Sequence, residues 1–234
     1  MDSYPVLLHN PPTPTWNPHL NVIAPADPAA HYDRIADDLL LQGWSMMPDF
    51  VPSELVRQLR QECLDDWQQG EFRHAGIGRG ESFEIKPEIR NDRVKWLEPA
   101  TASQAQRDYL NYLEQLRLAI NRQLQLGLFD FEYHMAVYPP GSFYARHLDQ
   151  FRGVGLRTVS VILYLNEDWQ RLDGGQLRIY TEAGDDSVFH DILPVGGQVV
   201  VFLSSVFEHE VLPARRDRLS ITGWFKRRDD HTLP

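Results

Sequence analysis

The sequence contains almost no cysteine and no long apolar segment. Cys63 is the single cysteine, which excludes an internal disulfide and a cysteine-rich metal site. No continuous apolar run reaches the roughly 18 residues that a membrane-spanning helix needs, so we expect no membrane span. The N-terminal residues lack the basic stretch and apolar segment of a secretory signal. Together these features predict a cytoplasmic protein.

Positive charge is also scarce. Lys and Arg number 23 against 33 Asp and Glu, which gives a formal net charge of −10. A protein that binds nucleic acid through its phosphates usually has the opposite balance. The short basic clusters at 215–218 and 226–228 are therefore interpreted as solvated surface, except for one arginine in the first cluster. We expect no nucleic-acid partner, and we take the protein to be a monomer.

The first half of the chain has helical periodicity after a proline-rich start. Residues 1–28 are predicted to form an extended arm and residues 29–130 a helical support region. The predicted helices begin at residue 31 with Ile35, Leu39 and Leu40 buried, at Ser53 as N-cap, and at about residue 105. A polar loop at about residues 77–98 is too charged for a core strand along most of its length and is predicted to be either functional or disordered.

From residue 131 the apolar period changes from helical to two, which is the period of a strand. The predicted strands lie at 131–138, 158–165, 176–180, 188–193, 198–203, 208–212 and 218–226. Short strands separated by frequent turn signals predict a sandwich or jelly roll. The fold class is therefore mainly β with packed helices, and residues 131–228 form the expected catalytic core.

One His-x-Asp triplet in the β region has the pattern of a metal site. On a strand, His147 and Asp149 point to the same face and can reach one ion. His209, on a later predicted strand, can supply a second imidazole. Two histidines and one carboxylate are the ligand set of non-haem Fe(II) oxygenases. A second triplet, from His31 to Asp33, starts a predicted helix and is interpreted as ordinary surface residues.

Arg218 begins the last predicted strand, shortly after His209. A guanidinium group is a good partner for the distal carboxylate of a C5 dicarboxylate. Alternation along the strand places Ser220, Thr222 and Trp224 on the same face as Arg218. We therefore expect this polar face to line the mouth of the barrel.

Two further histidines and the single cysteine are predicted to have a structural role instead of a catalytic one. His134 and His190 lie on predicted strands, where most histidines are satisfied parts of the core. Cys63 lies on the apolar stripe of a helix and is predicted to be buried.

Several segments in series resemble the prolyl hydroxylase domain enzymes, which include the oxygen-sensing prolyl hydroxylases of animals and their bacterial relatives. The segments are EIRNDRVKWLE, YPPGSFYARHLD, TVSVILYLNEDW, DGGQLRIY and FEHEVLPARRDRLSITGWF. The resemblance covers roughly residues 35–228. It implies a double-stranded β-helix, or jelly-roll, core.

The resemblance also implies a function for individual residues. Fe(II) would be bound by His147, Asp149 and His209. The 2-oxoglutarate cosubstrate would contact Arg218 and Tyr164 at its distal carboxylate, Thr222 nearby, Tyr138 near the metal-chelating end, and Ile162, Leu177 and Val211 along its aliphatic chain. The positions that border the substrate proline are Tyr144, Arg157 and Trp224. Arg90 lies in a segment, residues 82–96, that matches a mobile loop folding over the peptide substrate.

The implied reaction is the 4-hydroxylation of a proline in a cytoplasmic protein. It consumes O2 and 2-oxoglutarate, releases succinate and CO2, and uses ascorbate as a further cofactor. The sequence departs from the animal enzymes in the loop, which has fewer polar residues and contains Pro87. It also differs by one residue in the spacing between Asp149 and Tyr164. These differences leave the sequence preference for the substrate open.

Two other functions remain as alternatives. One is the hydroxylation of a free amino acid or another small metabolite, which would need a lid over a compact pocket. The other is a non-catalytic, cupin-like binding module, which would have no need for Arg218. The sequence names neither the target protein nor the affinity for O2.

Overall fold

The computed structural model of the protein describes residues 28–77, 84–150 and 156–228. The helices are α1 (Pro28–Gln42), α2 (Ser53–Gln68) and α3 (Gln104–Leu124). The strands are β1 (Trp44–Met47), β2 (Arg73–His74), β3 (Arg93–Leu97), β4 (Leu128–Tyr138), β5 (Tyr144–His147), β6 (Arg157–Tyr164), β7 (Leu177–Tyr180), β8 (Phe189–Ile192), β9 (Val199–Leu203), β10 (His209–Val211) and β11 (Arg218–Arg227).

The strands form two antiparallel sheets that face each other. The larger sheet has the order β1-β9-β6-β11-β4-β3-β2, and the smaller has the order β5-β10-β7-β8. An apolar cluster fills the space between them, with Ile162 and Phe202 from the larger sheet and Leu177 and Ile179 from the smaller one. This arrangement is a jelly roll with packed helices, which confirms the predicted fold class.

The outer face of the larger sheet is covered by the helices. In α3 the buried residues Tyr109, Leu113, Leu116 and Ile120 recur every three or four positions and face this sheet. Because β6 and β9 are covered on both faces, their sequences are almost continuously apolar instead of alternating. Truncating Leu116, which is fully buried, to alanine is expected to cost about 2–5 kcal/mol of stability.

Residues 29–130 contain strands as well as the predicted helices. β1, β2 and β3 all belong to the larger sheet. β3 lies at the end of the polar loop at 77–98, most of whose length forms no core strand, as expected within the described residues. Lys95 of β3 is accommodated because its Nζ lies 2.7 Å from Asp66 Oδ1. A charged sequence can therefore form a strand near the sheet edge when a neighbouring element supplies the counter-charge.

Smaller predictions about the helices were also wrong. Leu40 was expected to be buried, but its side chain is 64% exposed, and Leu39 fills the core position beside it. Ser53 was expected to cap α2, but it is the first helical residue, and Pro52 occupies the N-cap position.

Residues 1–27 of the predicted arm and residues 78–83 of the predicted loop lie outside the described residues. None of the helices within the described ranges is long and apolar enough to cross a membrane.

Candidate active site

Two adjacent strands of the smaller sheet bring three ligand-type side chains together. His147 ends β5 and His209 begins β10, and the two residues are cross-strand partners. Asp149 follows two residues after the end of β5. Its Oδ1 lies 3.6 Å from His147 Nε2, and its Oδ2 lies 3.6 Å from His209 Nε2. The ligand atoms of the three residues lie within 4.8 Å of one another, so one metal ion fits between them.

The protonation states of this triad suit a divalent metal. The Nδ1 atoms of His147 and His209 lie 2.8 and 3.1 Å from the backbone oxygens of Ala145 and Phe207. A ring that donates through Nδ1 has its lone pair on Nε2, and here both Nε2 atoms face Asp149. Burial and the neighbouring His147 lower the pKa of His209 to about 4. Burial alone would raise the pKa of Asp149, but the two imidazoles and Ser160 hold it well below its usual range.

These observations fit the ligand set of an Fe(II) oxygenase. Two neutral imidazoles and one ionised carboxylate are the donors that such an ion takes, and the triad lines an open cavity that leaves room for further ligands. The predicted triad is therefore assembled in space, although Asp149 follows the strand instead of lying within it.

Arg218 is a fully buried cation in the same cavity. Its exposed fraction is 1%, and its Nε donates to Gly175 O over 2.8 Å. The guanidinium carbon lies 5.0 Å from the ring centre of Tyr138 and 5.1 Å from that of Tyr164. Within the described ranges no carboxylate forms an ion pair with Arg218. The buried hydroxyl of Tyr164 lies beside this guanidinium, which acts to lower the pKa of the hydroxyl. An anion bound here would be contacted by both groups.

Most of the predicted cosubstrate and substrate residues meet in one cavity of about 1240 Å³. The triad lines this cavity together with Arg90, Tyr138, Tyr144, Arg157, Arg218, Thr222 and Trp224. Ile162, Leu177 and Val211, which were predicted to follow the cosubstrate chain, also line it. Tyr164 is fully buried beside Arg218, and burial raises its pKa to about 12, so its hydroxyl stays protonated.

A three-layer stack joins the predicted substrate loop to the metal site. The Tyr144 and His147 rings are stacked with their centres 3.5 Å apart, and the Arg90 guanidinium lies 4.1 Å from the Tyr144 ring centre. Arg90 makes two hydrogen bonds, of 2.8 and 2.7 Å, to the fully buried Asp92. The backbone of Arg90 also forms a bridge with Tyr144 at the start of β5. The second half of the loop is thus attached to the strand that carries His147.

His134 was interpreted as a satisfied structural histidine, and the structure differs. It lines the cavity between Trp96 and Trp224, with ring centres 4.8 and 5.5 Å away. Its buried Nδ1 has no partner among the residues described. Burial, followed by the positive charges of Arg90 and Arg157, lowers its pKa to about 3. His134 and Tyr138 lie on one strand and are separated by an even number of positions, so strand alternation places both on the inner face. This pattern could have predicted that His134 lines the cavity.

Other sequence interpretations have mixed outcomes. Cys63 is buried, as predicted. His31 was expected at the surface, but it is only 8% exposed in α1, whereas Asp33 forms an exposed ion pair with Arg122. Ser160 was missed altogether, although a hydroxyl within the apolar run of β6 was a signal for it. Its Oγ donates to Asp149 Oδ2 over 2.6 Å.

The chain is similar in sequence and in fold to known 2-oxoglutarate-dependent oxygenases and prolyl hydroxylases. The 2OG-Fe(II) oxygenase superfamily model matches residues 133–226. Human Egl nine homolog 1 is 30% identical over 191 residues, 78% of this chain and 43% of that protein. The crystal structure of a Pseudomonas putida prolyl-4-hydroxylase is 50% identical, with a TM-score of 0.75 over 85% of this chain and 100% of that one. A Trichoplax adhaerens prolyl hydroxylase, in complex with a hypoxia inducible factor peptide fragment, is 27% identical, with a TM-score of 0.75 over 85% and 90% of the chains.

The curated relatives are longer than the chain. It spans about half the length of the first ones that it matches, namely 43%, 55% and 46% of the human, rat and mouse forms of Egl nine homolog 1. The region that the superfamily model matches includes the triad and Arg218.

Proposed function

Because the chain belongs to the prolyl hydroxylase family of the 2OG-Fe(II) oxygenase superfamily, we propose that it is an Fe(II)- and 2-oxoglutarate-dependent dioxygenase. Its proposed reaction is the 4-hydroxylation of a proline in a protein, with consumption of O2 and release of succinate and CO2. The proposal rests on the site geometry as well as on family membership.

The buried charge of Arg218 is the observation that carries the proposal. A buried guanidinium without an acidic partner is costly unless an anion binds to it. Arg218 lies in the same cavity as the triad, and Tyr164 adds a buried hydroxyl that can donate to the same anion. Because Arg218 and the triad line the same cavity, a bound dicarboxylate would have one carboxylate on Arg218 and its other end towards the metal. A non-catalytic module would need neither the cation nor the open metal face.

The protein residues have three tasks in this reaction. His147, Asp149 and His209 would hold Fe(II), and Arg218 with Tyr164 would bind the distal carboxylate of 2-oxoglutarate. When bound, Fe(II), 2-oxoglutarate and O2 together supply the oxidant that converts a C–H bond into a C–OH bond. The apolar residues between the sheets exclude water from this space, and the outer cavity wall positions the C–H bond.

A polypeptide substrate is favoured over a small metabolite by the outer part of the cavity. Beyond the triad it continues past Tyr144, Trp96 and Trp224 to the exposed β2, a length that a free amino acid would not fill. The similar protein from Trichoplax adhaerens was solved with a peptide fragment, which supports the same class of substrate here. Proline as the target, and C4 as the site on it, follow from the family.

The proposal is tested by measuring succinate formation from 2-oxoglutarate with Fe(II), ascorbate and O2. Wild type is compared with His209→Ala, each with the macromolecular and the small-molecule fraction of a cell lysate. We expect turnover that the macromolecular fraction stimulates and that the variant lacks. Stimulation by the small-molecule fraction alone would favour a metabolite hydroxylase. Absence of turnover in wild type that retains bound Fe(II) would leave a binding module.

Three further predictions from the sequence accompany this proposal. A cytoplasmic location, a monomeric state and the use of ascorbate all stay predictions. Each can be measured on the full chain: by cell fractionation, by light scattering, and by omitting ascorbate from the succinate assay.

A further inference from the structure

Asp149 lies outside the strand ladder that fixes the two histidines. β5 ends at His147, so Asp149 is two residues beyond the strand, whereas His209 is held within β10. A ligand carboxylate in such a position needs a hydrogen-bond partner to fix its orientation. The fully buried Ser160 is that partner, because its Oγ donates to Asp149 Oδ2 over 2.6 Å.

Ser160 connects the metal site to the opposite sheet. It lies in β6 of the larger sheet, where it pairs with Trp224 of β11 on one side and with Phe202 of β9 on the other. Its backbone is therefore fixed from both sides. The bond to Asp149 joins a carboxylate that follows the smaller sheet to a central strand of the larger one.

A second buried serine, Ser204, donates a hydrogen bond to Ser160. Ser204 Oγ lies 2.8 Å from Ser160 Oγ, and Ser204 N donates to Thr158 O over 3.1 Å. An ionised carboxylate only accepts, so the single hydroxyl proton of Ser160 goes to Asp149. Ser204 must then donate to Ser160. The hydrogen bonds therefore have one order of donation: Ser204 donates to Ser160, and Ser160 donates to Asp149.

We infer that Ser160 and Ser204 are positioning residues of the metal site, an inference that rests on the proposed function. They hold Asp149 in one orientation, with Oδ2 occupied by the Ser160 hydroxyl. Oδ1 and Oδ2 lie equally close to the triad, 3.6 Å from His147 Nε2 and from His209 Nε2, so the Ser160 hydrogen bond is what distinguishes them. By occupying Oδ2 it would favour binding of the ion through Oδ1 alone, which would keep the remaining positions of the metal open.

The test is a titration of the full, metal-free chain with Co(II), which needs no substrate and no turnover. Ser160→Ala is expected to weaken Co(II) binding about 10- to 100-fold, the usual effect of losing such a partner. It should also change the visible absorption of bound Co(II), because the freed carboxylate can bind through both oxygens. Ser45→Ala is the matched control. Ser45 is also a buried serine that donates to a carboxylate, Asp38 Oδ2, over 2.7 Å, but it lies in β1, outside the metal site.

The Ser204 variant tests this order of hydrogen-bond donation. Ser204→Ala alone should weaken Co(II) binding by less than Ser160→Ala does, because Ser160 can still donate to Asp149. In the Ser160→Ala background, the Ser204 change should have no further effect, because Ser204 acts through Ser160. Equal and additive effects of the two changes would contradict this order.

The outcomes separate this inference from the proposed function. Co(II) binding that is as tight in Ser160→Ala as in wild type and Ser45→Ala would overturn the inference alone. Equal losses in Ser160→Ala and Ser45→Ala would also overturn it, because the loss would then be a general effect on the fold. A wild type that binds Co(II) no better than His209→Ala does would overturn both the proposed function and the inference.

Discussion

The guanidinium carbon of Arg157 lies 3.5 Å from the centre of the Trp224 ring, and both side chains line the cavity. Glu132 holds this pair in place, since its Oε1 accepts a 2.6 Å hydrogen bond from Arg157 Nε. Lys226 lies 3.3 Å from the other carboxylate oxygen. The result is a flat, partly buried surface beside the metal site that can contact a polypeptide.

Arg157→Ala is therefore expected to weaken the use of the polypeptide substrate. Loss of one hydrogen bond between this guanidinium and the polypeptide would cost about 0.5–1.5 kcal/mol, so kcat/KM for the polypeptide should fall about 2- to 12-fold. Binding of 2-oxoglutarate should change little. The measurement is succinate formation against polypeptide concentration. Arg227→Ala, at an exposed position in β11, is the control, and equal kcat/KM values for the two variants would contradict this role.

Arg218→Ala is expected to abolish most of the affinity for 2-oxoglutarate. Charge-assisted hydrogen bonds contribute about 1.5–3 kcal/mol each, so loss of the guanidinium should raise the Kd about 100-fold. Calorimetry with the Co(II)-loaded protein measures this Kd directly. Arg215→Ala removes an exposed arginine from the same cluster and should leave the Kd unchanged. A normal Kd in Arg218→Ala would show that the cosubstrate binds elsewhere.

Acid should destabilise the metal-free protein through its buried histidines. The pKa of His134 is lowered from 6.5 to about 3 by burial, so the unfolded chain takes up a proton that the folded chain excludes. Stability is therefore lost as the pH falls below 6.5, by about 2.5 kcal/mol from His134 between pH 7 and pH 4.5. His209, whose pKa is lowered to about 4, acts in the same direction.

His134→Leu isolates the contribution of one group, because the other titrating residues are common to both proteins. Denaturant unfolding of wild type and variant at pH 7 and at pH 4.5 gives the free energies of unfolding. The variant should lose about 2.5 kcal/mol less than wild type between these pH values. Identical losses in the two proteins would show that His134 does not exclude protons when folded.

The thiol of Cys63 should be unreactive towards thiol reagents in the folded protein. It is fully buried in α2, and burial raises its thiol pKa to about 12. Because the thiolate is the reactive form, a thiol reagent at neutral pH should label the native chain far more slowly than the denatured one. Labelling at similar rates in both states would contradict the packing of α2 against α3.

Much of the site could be predicted because strand alternation places residues on faces. Arg218, Thr222 and Trp224 were assigned to one face of the last strand, and all three line the cavity. The series of short strands predicted a sandwich or a jelly roll, and the resemblance implied the jelly roll. His147 and His209 could be paired only through the resemblance and the order of motifs, since no local rule states that β5 and β10 are neighbours.

The missed features depend on contacts between distant segments. β3 has a charged sequence that forms a strand because Asp66 of α2 pairs with Lys95. Ser160 and Ser204 are 44 positions apart, and their bond exists because β6 and β9 are adjacent in the sheet. His134 was misjudged because a sequence does not show whether the partner of a buried imidazole is present. Secondary-structure propensity and hydrophobic periodicity describe one helix or strand at a time. The missed features depend on contacts between two such elements.

The most direct test of the account follows oxygen from labelled O2 into product. The full chain with Fe(II) and 2-oxoglutarate is incubated under heavy-isotope O2 with a protein lysate, beside Asp149→Ala. We predict labelled 4-hydroxyproline in protein, formed together with succinate and absent from the variant. Labelled oxygen that appears only in small molecules, or succinate formed without any labelled hydroxyproline, would contradict this prediction.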